Sequence, residues 1–208
     1  MEDKKNNLGR LIILEGIDGC GGETQSKLLS ELLIKKGKKV KIFSFPNYDS
    51  PIGQFLDSYL HGKYELTPEI QTLFHYAGFL NSKKEIEEAL LQGYIIICDR
   101  YVTTTMAYQG IQGIDYEKIM QLINAFPIPK PDIVIYLRIS AETSARRKMA
   151  EKGNLDRFEA DLDFLQKVAQ KYTDYAQRNV YCKQEIVNAE KRIEEVSTEI
   201  INIVNKIV

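Results

Sequence analysis

The sequence predicts an α/β fold: a five-stranded parallel sheet with helices on both faces. Three observations predict it. Short runs at 11–14, 40–45, 94–98, 133–139 and 185–187 are hydrophobic on consecutive positions, the pattern of strands buried on both faces. Segments at 24–36, 68–91, 116–125, 141–152, 161–178 and 192–208 lie between or after them with helical spacing, and strands that alternate with helices imply parallel pairing. Gly37 and Gly93 each stand between such a segment and the next strand, where a helix C-terminal glycine belongs. PIPKPD at 127–132 is a rigid approach to the fourth strand, and no repeat or linker interrupts residues 1–208. One domain is expected.

Composition narrows the function. The chain has 208 residues, of which 44% are hydrophobic, with 28 basic and 29 acidic side chains. That is enough for one substantial core. The near-cancelling charge argues against a nucleic-acid coat or a membrane surface, so an anionic ligand must be held by a local cluster. Cys20, Cys98 and Cys182 are scattered and odd in number, which fits a reducing compartment and neither a disulfide framework nor a metal site. With no signal-type start and no apolar run near the ~20 residues of a membrane span, a cytoplasmic protein is expected.

In an open parallel sheet, ligands gather beyond the carboxyl ends of the strands. Strand one ends in GIDGCGGET (16–24), strand two in FPNYDS (45–50) and strand three in DRY (99–101). The first turn opens a helix, so its main-chain N–H groups and the helix dipole face an anion, and its glycines permit close approach to phosphate oxygens. Gly16, Ile17, Asp18, Gly19, Cys20, Gly21, Gly22, Glu23 and Thr24 are therefore the candidate phosphate loop. The G-x-x-x-x-G-K-[ST] pattern fails twice, with Gly22 at the lysine and Glu23 at the hydroxyl, although Thr24 follows. In DRY, Asp99 suits a metal-bound water and Arg100 a bidentate phosphate contact, unless the two pair with each other and only shape the turn. His61 and His75 are too isolated for a catalytic histidine, and His75 suits the rim of the site.

Five segments carry a resemblance to a known family. LEGIDG (14–19), FPNYDSPIG (45–53), DRY followed by AYQG (99–110), KPDIVIYL (130–137) and RRKMAEKGNLDRFE (146–159) resemble, in order and spacing, the thymidylate kinase family of P-loop nucleoside monophosphate kinases. The likeness covers essentially the whole chain. It implies transfer of the γ-phosphoryl group of ATP to dTMP with Mg²⁺, and a homodimer packed through helices. It further implies that Asp18 acts on Mg²⁺ or its waters, that Asp99 serves the metal, and that Arg100 binds the acceptor phosphate. Phe45, Pro46 and Tyr48 would wall the acceptor site and Phe74 would stack on the thymine. Thr104 and Thr105 would face the pyrimidine edge, and Tyr108 with Gln109 would lie under the sugar. The segment 146–159 looks like the family's lid, with Arg146 on the donor nucleotide and Arg157 as the cation brought to the phosphates.

Three positions depart from that family. Gly22 replaces the loop lysine, Glu23 adds a carboxylate beside the expected triphosphate, and Gly78 stands where the family carries a base- and phosphate-contacting arginine. Glu23 either draws Mg²⁺ toward the loop or pairs with a lid arginine. Gly78 would open the base side of the pocket to a different acceptor nucleotide, and Gly22, Glu23 and Gly78 together support the alternative of a nucleotide-binding homologue with impaired catalysis.

Overall fold

The computed structural model describes residues 8–153, 156 and 158–208. In chain order the elements are β1 (Arg10–Glu15), α1 (Gly22–Lys35), β2 (Val40–Ser44), α2 (Pro51–Leu60), α3 (Pro68–Leu91), β3 (Ile95–Asp99) and α4 (Val102–Ile111). They continue with α5 (Tyr116–Ala125), β4 (Ile133–Arg138), α6 (Ala141–Lys152), α7 (Leu162–Arg178), β5 (Gln184–Asn188) and α8 (Ile193–Val204). The sheet order is β2-β3-β1-β4-β5, and all four neighbouring pairs are parallel. The expected architecture is observed.

Each expected strand is present within a residue or so of its reading. Ile12, Ile13, Ile96, Ile97, Val134 and Ile135 are wholly buried, as runs of branched apolar residues in a sheet covered on both faces must be. Burial of each contributes roughly 1.5–3 kcal/mol. This core fixes the strand ends, and the strand ends fix the site. At the opposite edge Asp132 grips β1 twice: its N–H donates to the Leu11 carbonyl at 2.9 Å and its carboxylate accepts the Leu11 N–H at 2.8 Å.

Two helices were not expected. α2 begins at the Ser50-Pro51 step, where Ser50 Oγ accepts the Gly53 N–H at 3.0 Å and proline occupies the first helical position, a legible start signal. α4 opens with the β-branched run Val102-Thr103-Thr104-Thr105, poor local helix formers. Packing overrides propensity there, since Val102, Met106 and Ala107 are fully buried. α1 also begins two residues earlier than its spacing suggested, which moves Gly22 and Glu23 from the loop into the first helical turn. Among the described residues no helix is long and apolar enough to cross a membrane.

Candidate active site

The carboxyl ends of β1, β2 and β3 open onto a cleft of about 1040 Å³. This lies at the upper end of the roughly 300–1,000 Å³ range of ligand pockets. β1 is the strand at which the chain's direction across the sheet reverses, the point where such folds bind ligands.

The turn from β1 to α1 forms one wall. Gly19 (φ +72°) and Gly21 (φ +93°) are left-handed, a backbone region that suits glycine. Gly21 is the N-cap of α1 and offers no side-chain cap, so no side-chain cap competes for the N–H groups of the first turn, which point into the cleft. Residues 18–24 border the cleft as expected. Gly16 and Ile17 do not: Ile17 is wholly buried, and Gly16 packs under Cys20, whose Sγ would lie 2.7 Å from any Cβ at position 16. These two residues are the loop's foundation, and that corrects their assignment to the nucleotide. Burial pushes the Cys20 thiol up to about 12, so it stays protonated and inert.

Gly22 has a steric cause of its own. A Cβ there would meet Asp99 Oδ1 at 2.2 Å. The volume that a side chain at position 22 needs is filled by a carboxylate. The Asp99 carboxylate does not pair with Arg100 and makes no hydrogen bond or ion pair with any described residue, while the Asp99 main-chain carbonyl accepts the Phe45 N–H at 3.0 Å. Burial raises its pKa, with the Arg100 charge opposing. No group of three metal-ligating side chains exists among the described residues. Mg²⁺ needs only one or two carboxylates beside waters and substrate phosphates, and an unpartnered carboxylate on the floor of a phosphate loop meets that requirement.

Arg100 instead joins the loop. Its backbone lies in the left-handed region at φ +68° and is held by its N–H to the Leu14 carbonyl at 2.9 Å. Nη1 donates to the Gly16 carbonyl at 2.9 Å and Nη2 to Asp18 Oδ1 at 2.8 Å. The Tyr108 hydroxyl donates to Asp18 Oδ2 at 2.8 Å, and the guanidinium lies 5.7 Å from the centre of the Tyr108 ring. Burial works against the guanidinium charge, yet Asp18 together with the groups of Tyr108, Tyr172 and Cys20 more than offsets it and the pKa of Arg100 is raised. A left-handed non-glycine residue costs about 1–3 kcal/mol and persists only where its surroundings over-determine it.

On the acceptor side Phe45, Pro46, Tyr48, Thr104, Tyr108 and Gln109 border the cleft as expected. Phe45 is set edge-on to Phe79 at 5.0 Å between ring centres. Three expectations fail. The Thr105 hydroxyl is buried without a partner, because one residue along a helix turns the side chain by about 100° and only Thr104 faces the cleft. Phe74 is stacked on Phe55 at 4.3 Å and does not border the cleft, whereas neighbouring His75 does. A Cβ at Gly78 would stand 4.0 Å from Ile52 Cγ2, beside a separate small cavity of about 10 Å³, so its missing side chain does not widen the cleft.

Beneath Thr104 sits Glu15, which sequence reasoning missed. It is 1% exposed and accepts from the Tyr101 N–H at 3.0 Å, the Thr104 N–H at 3.2 Å, the Thr104 hydroxyl and the Tyr172 hydroxyl at 3.0 Å. Burial raises its pKa from 4.5 to about 7, against those hydrogen bonds and the Arg100 charge. Its signal was a lone carboxylate ending an apolar strand.

Besides Arg100, cations also approach the loop from α6. Arg146 turns to Thr143 Oγ1 at 3.2 Å and misses the cleft. Arg147, one residue on, reaches it, with Nη1 on the Gly19 carbonyl at 3.0 Å and Nη2 on the Ala189 carbonyl at 2.9 Å. Lys148 packs against Gly19, its Cγ 3.4 Å from where a Cβ would stand, and its side chain is 13% exposed beside Glu151 and Glu159. Arg157 lies outside the described residues. Glu23 pairs with Lys27 at 2.6 Å on the same helix, and with neither Arg146 nor Arg147 among the described lid residues.

A glycine-built phosphate loop at the switch point of this sheet, with an arginine held across it toward a second pocket, defines the class: a P-loop kinase of nucleoside monophosphates. The thymidylate kinase family matches residues 14–200. A probable thymidylate kinase of Pyrococcus abyssi is 35% identical over 203 residues, covering 94% of this chain and 96% of its own. One from Archaeoglobus fulgidus is 36% identical over 191 residues, covering 91% and 92%. A solved thymidylate kinase from Candida albicans superposes with a TM-score of 0.79 at 28% identity, covering 96% of this chain and 92% of that one. The chain belongs to the thymidylate kinase family.

Proposed function

We propose that this chain transfers the γ-phosphoryl group of ATP to dTMP, giving dTDP and ADP with Mg²⁺. One observation carries the reading: Arg100 is fastened to the loop through Gly16 and Asp18 while bordering the acceptor pocket. A single cation thus links the donor loop to the acceptor side. Phosphoryl transfer asks a protein for positioning and charge stabilisation, with no covalent intermediate.

The parts divide as follows. First-turn N–H groups of α1 receive the donor phosphates. Arg100 holds the acceptor phosphate in line, its own freedom removed by Asp18 and the Gly16 carbonyl. Lys148, beside Gly19, supplies the side-chain charge that Gly22 cannot. Asp99, seconded by Asp18, would hold Mg²⁺ or its waters, and the ion would neutralise charge on the phosphates. Tyr108 stays a neutral phenol, since burial raises its pKa, and braces Asp18. A homodimer is part of the same reading, and α3 leaves Ile70 at 39% and Leu73 at 50% exposed, as a helical contact between copies would use.

The test is ADP release with ATP and a panel of dTMP, dUMP, dCMP and dGMP. dTMP is expected to give the highest kcat/KM. Turnover of another monophosphate far above dTMP overturns the assignment.

A further inference from the structure

Gln109 borders the cleft and is 2% exposed. Its Nε2 donates to Gln71 Oε1 at 3.2 Å, while its own Oε1 is buried and has no hydrogen-bond partner among the described residues. An amide can be turned either way, and its orientation must follow from its neighbours. Here it follows from one main-chain atom.

Gln71, on α3, is 1% exposed. Its Nε2 lies 2.9 Å from the Leu66 carbonyl, which can only accept. Gln71 must therefore direct its NH₂ to Leu66 and its oxygen toward α4. There the oxygen receives Gln109 Nε2 and, at 3.3 Å, Gln112 Nε2, while Gln112 Oε1 accepts from Gln71 Nε2 at 3.3 Å. Turning Gln109 over would set two carbonyl oxygens against each other in a buried place, at a cost of about 1–3 kcal/mol.

We infer that Gln71 is a positioning residue for base recognition: it locks the Gln109 amide so that only an acceptor oxygen is left for the acceptor nucleotide. That oxygen suits a pyrimidine with a ring N–H, as in thymine or uracil. It opposes cytosine, whose N3 at the same place is itself an acceptor. The inference rests on the proposed acceptor class and adds the residue that sets its polarity.

The experiment compares kcat/KM for dTMP and dCMP, and Kd for both by calorimetry, in the wild type, Gln71→Met and Gln71→Glu. Met fills the space but lets Gln109 rotate, so the preference for dTMP falls by about tenfold or more. Glu at 71 still accepts from Gln109, so the preference stays within about threefold of wild type. Gln71→Leu takes the place of the Met variant if that chain does not fold. Retention of the wild-type preference by the apolar variant, or an equal loss in both variants, overturns the inference. A wild type with no preference for dTMP over dCMP brings down the proposed acceptor itself, and the inference with it.

Discussion

Two ion pairs stand on either side of the phosphate loop with almost the same geometry. Arg100 meets Asp18 at 2.8 Å with side-chain exposures of 19% and 26%, and Lys27 meets Glu23 at 2.6 Å with 65% and 71%. The first also satisfies the Gly16 carbonyl and a tyrosine hydroxyl. The second makes no other side-chain hydrogen bond or ion pair among the described residues and is screened by water. Equal distances therefore hide unequal worth: exposed pairs contribute little, while breaking a desolvated one strands a charge. Of the two acidic residues in the loop sequence, Asp18 ties the loop to Arg100 and Tyr108, and Glu23 pairs with Lys27 at the rim.

The largest expected effect breaks the inner pair. Arg100→Ala should lower kcat/KM for dTMP by about 10²–10³-fold, the scale for losing one donor to developing charge. A loss under tenfold in steady-state kinetics would deny the link between the two pockets. Next is the buried carboxyl beneath them. Glu15 titrates near 7 in the fold against 4.5 ordinarily, so the folded state keeps its proton longer than the unfolded one. Stability is then lost as pH rises from 4.5 to about 7, by about 3 kcal/mol, and changes no further above that. His75 runs the other way, since burial, with the Arg100 charge, lowers it from 6.5 to about 4: its contribution is lost as pH falls through that window. Between 4.5 and 6.5 the two oppose. Urea midpoints of the wild type should stay nearly level there, and those of Glu15→Gln should rise with pH; parallel curves would refute the assignment.

A third test concerns the crowded floor of the loop. Gly22→Ala places a methyl against Asp99 Oδ1 and should destabilise by about 1–3 kcal/mol. Asp99→Ala in the same chain should restore most of that, a coupling readable from a double-mutant cycle in denaturant; simple additivity would show that the carboxylate is not the obstacle. Gly22→Lys, for the same reason, should not raise kcat. The smallest effect belongs to the outer pair: Glu23→Gln should leave kcat/KM within about threefold of wild type. A larger change would give Glu23 the metal role that its pairing with Lys27 denies it.

The sheet was legible because five apolar runs could be buried in only one way. The loop was legible because glycine at 19 and 21 has a backbone reason. What stayed hidden was phase and depth. Nothing local told that Thr104 and not Thr105 would face the cleft, since α4 is covered on nearly all sides and carries no polar stripe to read, and the consecutive cations of α6 did not mark Arg147 over Arg146. Phe74 was expected to stack on a base and is stacked on Phe55. Glu15 looked like one acid in a motif; only the fold shows that four donors converge on it from three elements. The absence of lysine at 22 read as a loss, whereas the structure gives the vacancy an occupant, Asp99.

Asp132, gripping Leu11 at the far edge of the sheet, is the zero mark of a ruler. β1 runs from that grip straight to the phosphate loop, and a slip of one residue would carry every loop amide about 3.3 Å along the strand and reverse which face each side chain meets. Hydrogen bonds to phosphate tolerate a few tenths of an ångström. The aim of the loop is thus calibrated from the opposite end of the molecule, by a carboxylate that no nucleotide ever touches.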